Sequence, residues 1–265
     1  MGSAHKRKAD KHAIENRELS WLSFNGRVQA EADNPDNPLM ERAKFLAIVT
    51  SNLDEFMQVR YHGVLEAASG KRKGKKTQGG LKAEKLYRRV NKEILRQNNR
   101  QYTLYEGIRS ELYLQGVQLF PTFSLDEMLL RREKGIFEKE IRPYLKAEPL
   151  DGARPRQKQL YLCAKLVRPR RKNAQFMLVG LPAALPRLID LSQSKDVQRL
   201  IRVEDVVKHH LHRLFPKDEV EHAAVFRILR NQDFEIEEFN EDDIVPAVRG
   251  MLAKRVGGAV MRLEA

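Results

Sequence analysis

The residues best suited to chemistry lie in one stretch, residues 42–61, RAKFLAIVTSNLDEFMQVRY. Leu46, Val49, Leu53 and Phe56 recur at spacings of three, four and three, which is one apolar stripe of a helix. Ser51, Asn52, Asp54 and Glu55 break into that apolar run. Asn is a poor helix former, because its side chain competes for backbone hydrogen bonds. Asn52 therefore has three readings: a buried amide that fixes helix register, an exposed residue, or a group pointing into a ligand cleft. Its amide offers one acceptor and two donors, which suits the edge of an adenine ring.

The other reactive residue types form no complete set. His209, His210 and His212 invite a metal or phosphohistidine reading, and His209 and His212 can share a helix face. No Asp, Glu or Cys stands at ligand spacing on the same helix, and no H-E-x-x-H pattern occurs, so partly exposed helix histidines are expected. Cys163 falls in the middle of a strand pattern and is expected in the core. As a single cysteine it cannot form an internal disulfide. There is no G-x-S-x-G nucleophile motif. The acidic run at residues 235–243 reads as a solvated surface, with a divalent-cation site as the minor alternative. Residues 69–80, SGKRKGKKTQGG, form a basic glycine-rich loop that fails the P-loop pattern and has no apolar strand before it.

Three helices must position Asn52. After a basic arm at residues 1–15, Asn16 is set to cap a helix to about residue 32, with Glu18 in its first turn. Trp21, Phe24 and Val28 share one face there and are expected in the core. Asn37 is expected to cap a second, continuous helix over residues 38–68, with Pro38 in its first position. A third runs over residues 81–114, with Tyr87, Val90, Ile94, Tyr102, Tyr105, Ile108 and Leu112 recurring on one face. Short connections predict an antiparallel helical domain over residues 16–118.

Residues 119–265 change character. A capping box from Ser124 to Glu127 predicts a helix over residues 124–145, then a loop at 147–157. Strands are expected at 160–167, 176–181, 185–191, 224–230 and 259–263, and helices at 203–215 and 244–255. The fold class is thus α+β: an N-terminal antiparallel three-helix unit, then a mixed α/β head domain. The final strand lacks a closing element, so the head is read as incomplete at its C-terminus.

The chain has 265 residues and a formal net charge of +13, with an isoelectric point near 9.8. Such a balance favours polyanions: nucleotides, polyphosphate, nucleic acid or an anionic membrane surface. No helix-turn-helix, zinc-finger or aromatic RNA-binding signature is present, which places nucleic acid last. No uncharged apolar run approaches membrane-spanning length, and the basic N-terminus lacks the apolar core of a secretory signal. A cytoplasmic location is expected, with membrane association left open.

Several motifs stand together at characteristic spacing. They are Asn16-Arg17-Glu18-Leu19-Ser20-Trp21-Leu22-Ser23-Phe24-Asn25 with Arg27-Val28, then Asn37-Pro38-Leu39, Glu41-Arg42 and Lys44-Phe45-Leu46-Ala47-Ile48, and Ser51-Asn52-Leu53-Asp54-Glu55-Phe56 with Val59-Arg60. They resemble the opening of the type-1 polyphosphate kinases. Beyond residue 120 the likeness rests on the architecture and on the DEM, RPYL and VFRILRNQDFEIEE segments. Gln29-Ala30 and Met57-Gln58 depart from the family pattern, as does the insert at 69–80.

The resemblance implies a helical N-terminal domain and a head domain used for a homodimer or higher oligomer. It also implies two later domains, absent from this chain, that carry the phosphorylated histidine and the Mg2+ ligands. Its activity would be reversible transfer of the γ-phosphoryl of ATP to polyphosphate. The one ligand residue it carries onto this sequence is Asn52, as a contact to the adenine of ATP. A non-catalytic polyanion-binding or dimerisation module is the alternative.

Overall fold

Asn16 opens the first helix, as its residue type predicts. Its Oδ1 accepts the Glu18 N–H at 3.0 Å at the start of α1 (Arg17–Asp33). The structure, a computed structural model, describes residues 16–69, 77, 80–121, 124–168, 174–193, 196–232 and 258–265. The basic arm, nearly all of the basic loop, the acidic run at 235–243 and the helix expected at 244–255 lie outside the described residues. The described chain divides into two compact units, Met1–Tyr105 and Glu106–Ala265.

In the first unit α1 is followed by α2 (Leu39–Val59), α3 (Tyr61–Ser69) and the start of α4 (Ala83–Leu114). Contacts fix the directions. Trp21 stacks on Phe56 at 5.0 Å while Arg42 Nε donates to Ala32 O at 3.1 Å, so α1 and α2 run antiparallel. Gln101 of α4 meets Leu46 and Thr50 of α2, and Tyr61 Oη at the start of α3 donates to Asn91 of α4, so the path from α2 into α3 runs antiparallel to α4. The expected stripe Leu46, Val49, Leu53 and Phe56 is buried in full.

Several local expectations are corrected. The second helix is not continuous: it breaks at Arg60, whose φ of −115° departs from helix. Pro38, not Asn37, stands at its N-cap, and Asn37 Nδ2 instead donates to Glu31 O and Oε2. Phe24 is 48% exposed, and α1 instead buries Glu18, Leu22, Asn25, Gln29 and Ala32. On α4 the buried stripe is Ala83, Leu86, Val90, Ile94, Gln97, Leu104 and Ile108, so Val90, Ile94 and Ile108 are buried as expected while Tyr102 is 71% exposed. The stripe passes through a polar residue, so counting apolar residues skips Gln97 and picks up the tyrosine.

The second unit contains two sheets. A three-stranded sheet of order β1-β6-β5 joins β1 (Val117–Phe120), β6 (Gln198–Arg202) and β5 (Leu188–Asp190), with β1 and β6 parallel. A five-stranded sheet of order β2-β4-β3-β7-β8 is antiparallel throughout. Its strands are β2 (Lys146–Pro149), β3 (Leu160–Val167), β4 (Gln175–Leu181), β7 (Glu219–Arg230) and β8 (Val260–Glu264). Leu162, Ala164 and Leu166 point one way from β3 into the core, the period-two pattern of a half-buried strand. They pack with Phe137, Ile141, Val206, Val207 and Leu211.

Here too the sequence expectation needs correction. β1, β2 and β6 are strands of four or five residues in segments expected to be connections or loop. The cap of α5 (Glu127–Ile136) is Asp126, whose carboxylate accepts the Leu129 N–H at 2.8 Å; Ser124 Oγ turns back to Pro121 O. After α5 the chain loosens into a π turn (Phe137–Ile141) and a 3-10 turn (Arg142–Tyr144). The helix expected at 203–215 is two, α6 (Val203–His209) and α7 (Leu211–Leu214), broken at His210.

Gly116 ends α4 with φ +82°, and a Cβ there would lie 3.0 Å from Asp196 O. Gly152 has φ +78° but open space around it. Gly116→Ala should cost about 1–3 kcal/mol of stability and Gly152→Ala about 1 kcal/mol or less, measured by urea unfolding.

Candidate functional site

The three helices of the first unit meet across a seam of side-chain amides rather than a purely apolar core. Asn25 and Gln29 stand one turn apart on the buried face of α1, and Gln97 stands in the buried stripe of α4. Asn25 Nδ2 donates to Gln97 Oε1 at 3.1 Å and to Val49 O at 3.4 Å. Gln97 Nε2 donates to Leu22 O and to Glu93 Oε1, both at 2.8 Å, and Gln29 Nε2 donates to Gln97 O at 2.8 Å. Each amide thus satisfies its neighbours, as buried polar groups must.

Asn52 stands at the outer end of this seam. It is half-buried on α2, one turn beyond Val49, and its Nδ2 donates to Asn25 Oδ1 at 3.1 Å. Its Oδ1 and its second N–H have no partner among the described residues. Around it, Leu53, Asp54 and Phe56 face the interior, while Ser51 and Glu55 face outward. Asn52 is thus tied to the buried network through one N–H while the rest of its amide has no partner among the described residues.

The helix ends near this seam are strongly charged. Glu18, only 8% exposed, pairs with Arg17 at 3.0 Å and with Arg60 at 3.5 Å. Glu93 accepts from Arg96 at 2.9 and 2.6 Å, which with Gln97 holds its carboxyl below the usual 4.5.

The second unit gathers the histidines. Glu133, with no exposed surface, comes from α5 to accept His210 Nε2 at 2.8 Å and meets His209 Nδ1 at 3.3 Å. Phe137, one turn further along, stacks on His210 at 4.4 Å. His210 is buried rather than partly exposed, which corrects the expectation for it; the His209 side chain is 40% exposed. His212 lies 6.0 Å from the His210 ring, centroid to centroid. Sequence reading missed Glu133 because the partner is 76 residues away from His209, on another helix. The one available signal was its place in the stripe Leu129, Glu133, Phe137. Cys163 is half-buried on β3, and burial pushes its thiol up from its ordinary value.

Comparison with known proteins matches two successive parts of the chain. Residues 14–120 match the family described as "Polyphosphate kinase N-terminal domain", and residues 131–265 match "Polyphosphate kinase middle domain". The chain belongs to the polyphosphate kinase family. It is 34% identical over 262 residues to "Polyphosphate kinase 1" of Chlorobaculum tepidum, covering 94% of this chain and 37% of that protein. It is 35% identical over 262 residues to "Polyphosphate kinase" of Halalkalibacterium halodurans, covering 94% of this chain and 36% of that protein. The chain thus spans little more than a third of the length of these relatives. Its fold is similar to the crystal structure of polyphosphate kinase from Porphyromonas gingivalis, with a TM-score of 0.70 at 24% identity, over 90% of this chain and 37% of that one.

Two outcomes follow for the seam. Asn25→Ala removes the acceptor for Asn52 and the donor to Gln97 and Val49, and should cost about 1–3 kcal/mol of unfolding free energy in urea. For Glu93 the folded carboxyl sits below 4.5, so the stability it contributes is present above pH 4.5 and is lost as pH falls through the folded value. The melting temperature of Glu93→Gln should fall below that of the parent at pH 6, and the gap should close as the pH is taken below 4.5.

Proposed function

We propose that this chain is the adenine-contacting and subunit-contacting portion of an ATP–polyphosphate phosphotransferase, with Asn52 as the adenine contact. The observation that carries the reading is the hydrogen-bond state of one amide. An Asn reads adenine with its oxygen on the 6-amino group and one N–H on N7. Asn52 commits its other N–H to Asn25, so the pair that adenine needs is left available and its direction is set by the seam. Fixing the amide beforehand lowers the entropy lost on binding.

The complete protein would move the γ-phosphoryl of ATP reversibly onto a polyphosphate chain through a phosphohistidine. That histidine lies in domains outside this chain. His209 and His210 are poor candidates for it, since both face the Glu133 carboxylate. Residues 119–265 would serve as the head domain of a homodimer or larger oligomer. The net charge of +13 favours approach of ATP and polyphosphate over neutral ligands. No helix among the described residues is long and apolar enough to cross a membrane.

Mg2+ would be held in the missing domains. Among the described residues the one cluster able to hold a cation is Glu133, His209 and His210. Its two imidazoles do not suit Mg2+, which takes oxygen ligands, so no magnesium chemistry is assigned to this chain.

In the complete enzyme Asn52→Ala should raise the KM for ATP about tenfold or more, the 1–3 kcal/mol of a lost amide–base contact. Far-ultraviolet circular dichroism of the variant should match the parent. A variant with a lower melting temperature but an unchanged KM would confine Asn52 to the seam and remove it from the ATP site.

A further inference from the structure

The cluster around Glu133 has no part in the adenine site and is built unlike an ordinary surface ion pair. Its carboxylate has no exposed surface, and its partners among the described residues are two imidazoles. An ionised carboxylate in such a place requires a compensating positive charge. The ligand atoms of Glu133, His209 and His210 all lie within 4.8 Å of one another. A tetrahedral site with bonds of about 2.0–2.2 Å spaces its ligand atoms about 3.3 Å apart. The observed separations, 3.3 Å from His209 Nδ1 to Oε1 and 2.8 Å from His210 Nε2 to Oε2, engage different carboxylate oxygens, so one ion requires a small turn of the carboxylate to bring a single oxygen to both imidazoles.

We propose that Glu133, His209 and His210 form a site for a divalent transition metal of the Zn2+ type. The backbone explains how consecutive histidines reach one point. His209 is the last residue of α6, and at His210 the chain leaves helical geometry, with φ −98° and ψ 13°. The two rings therefore lie 4.6 Å apart instead of a third of a turn apart. Phe137 stacks on the His210 ring and fixes its plane. Two imidazoles and one carboxylate form a donor set that zinc takes, with a fourth position left for water. The 40% exposure of the His209 side chain supplies the route in.

His210 Nε2 faces Glu133 Oε2 at 2.8 Å, and His210 Nδ1 is buried with no partner among the described residues. A cation bound at Nε2 therefore leaves the second ring nitrogen without a hydrogen-bond acceptor to orient the ligand. Metal ligands normally have that second nitrogen bonded, so the dissociation constant is expected on the order of micromolar rather than nanomolar. Bound metal would clamp α5 to the break between α6 and α7, and so raise the thermal stability of the second unit.

The test is a titration of the chain, stripped by chelator, with Co2+ followed by visible absorption and with Zn2+ followed by thermal unfolding. The parent should take up one Co2+ with the intense bands of tetrahedral coordination, and Zn2+ should raise its melting temperature. His209→Ala, a change at the exposed edge of the cluster, should fold and lose at least tenfold in Co2+ affinity. Glu133→Gln should lose the bands, while His212→Ala should keep them. Absence of tetrahedral bands in the parent, or bands of equal affinity in His209→Ala, would overturn the proposal.

Discussion

The first unit depends on the amide of Gln97. It is a core residue by position, 1% exposed in the buried stripe of α4, yet both ends of its side chain are engaged. Its oxygen accepts from Asn25 and its nitrogen serves Leu22 O and Glu93. A leucine there would fill the volume but would take away the 3.1 Å acceptor of the buried Asn25 amide, leaving one of its N–H groups without a partner in the interior. Unpaired groups of that kind cost more than the bonds are worth when made. The seam therefore fixes one register of α1 against α4 and α2, and every other register leaves polar groups dry. Buried polar residues are known to specify register in this way in other helical assemblies.

That constraint links packing to the proposed ligand contact. The α2 stripe of Leu46, Val49, Leu53 and Phe56 anchors the helix by apolar burial, which sets its depth but not the direction of the Asn52 amide. The direction comes from Asn25, which Gln97 holds in turn. An adenine contact built this way inherits the rigidity of three helices. It also bears on why a residue with weak helix propensity stands in the middle of α2: one N–H of its side chain bonds sideways into the seam, to Asn25.

Much of this was legible in the sequence, and the failures have physical causes. The Asn16 cap, the α2 stripe and strands β3 and β4 follow from local chemistry and periodicity, and the structure has them at nearly the expected bounds. Asn52 stood out because an amide interrupts an apolar run. Its tie to Asn25 was not readable, since that requires knowing which faces of α1 and α2 meet. Gln29 looked like a departure from the family pattern and turned out to hold Gln97 O. The tyrosines of α4 misled because periodicity cannot say whether a polar residue such as Gln97 is in or out. β1, β2 and β6 were missed because strands this short are defined by their pairing partners. Glu133 was missed because charge inside an amphipathic helix reads as surface until its histidine partners are seen.

The central claim is that the seam aims Asn52 at adenine. A crystal structure of the complete enzyme with a non-hydrolysable ATP analogue measures it directly. The account predicts the adenine 6-amino group within hydrogen-bond distance, about 3 Å, of Asn52 Oδ1, with the Asn52–Asn25 bond kept. Adenine bound elsewhere, or bound here only after Asn52 has released Asn25, would contradict it.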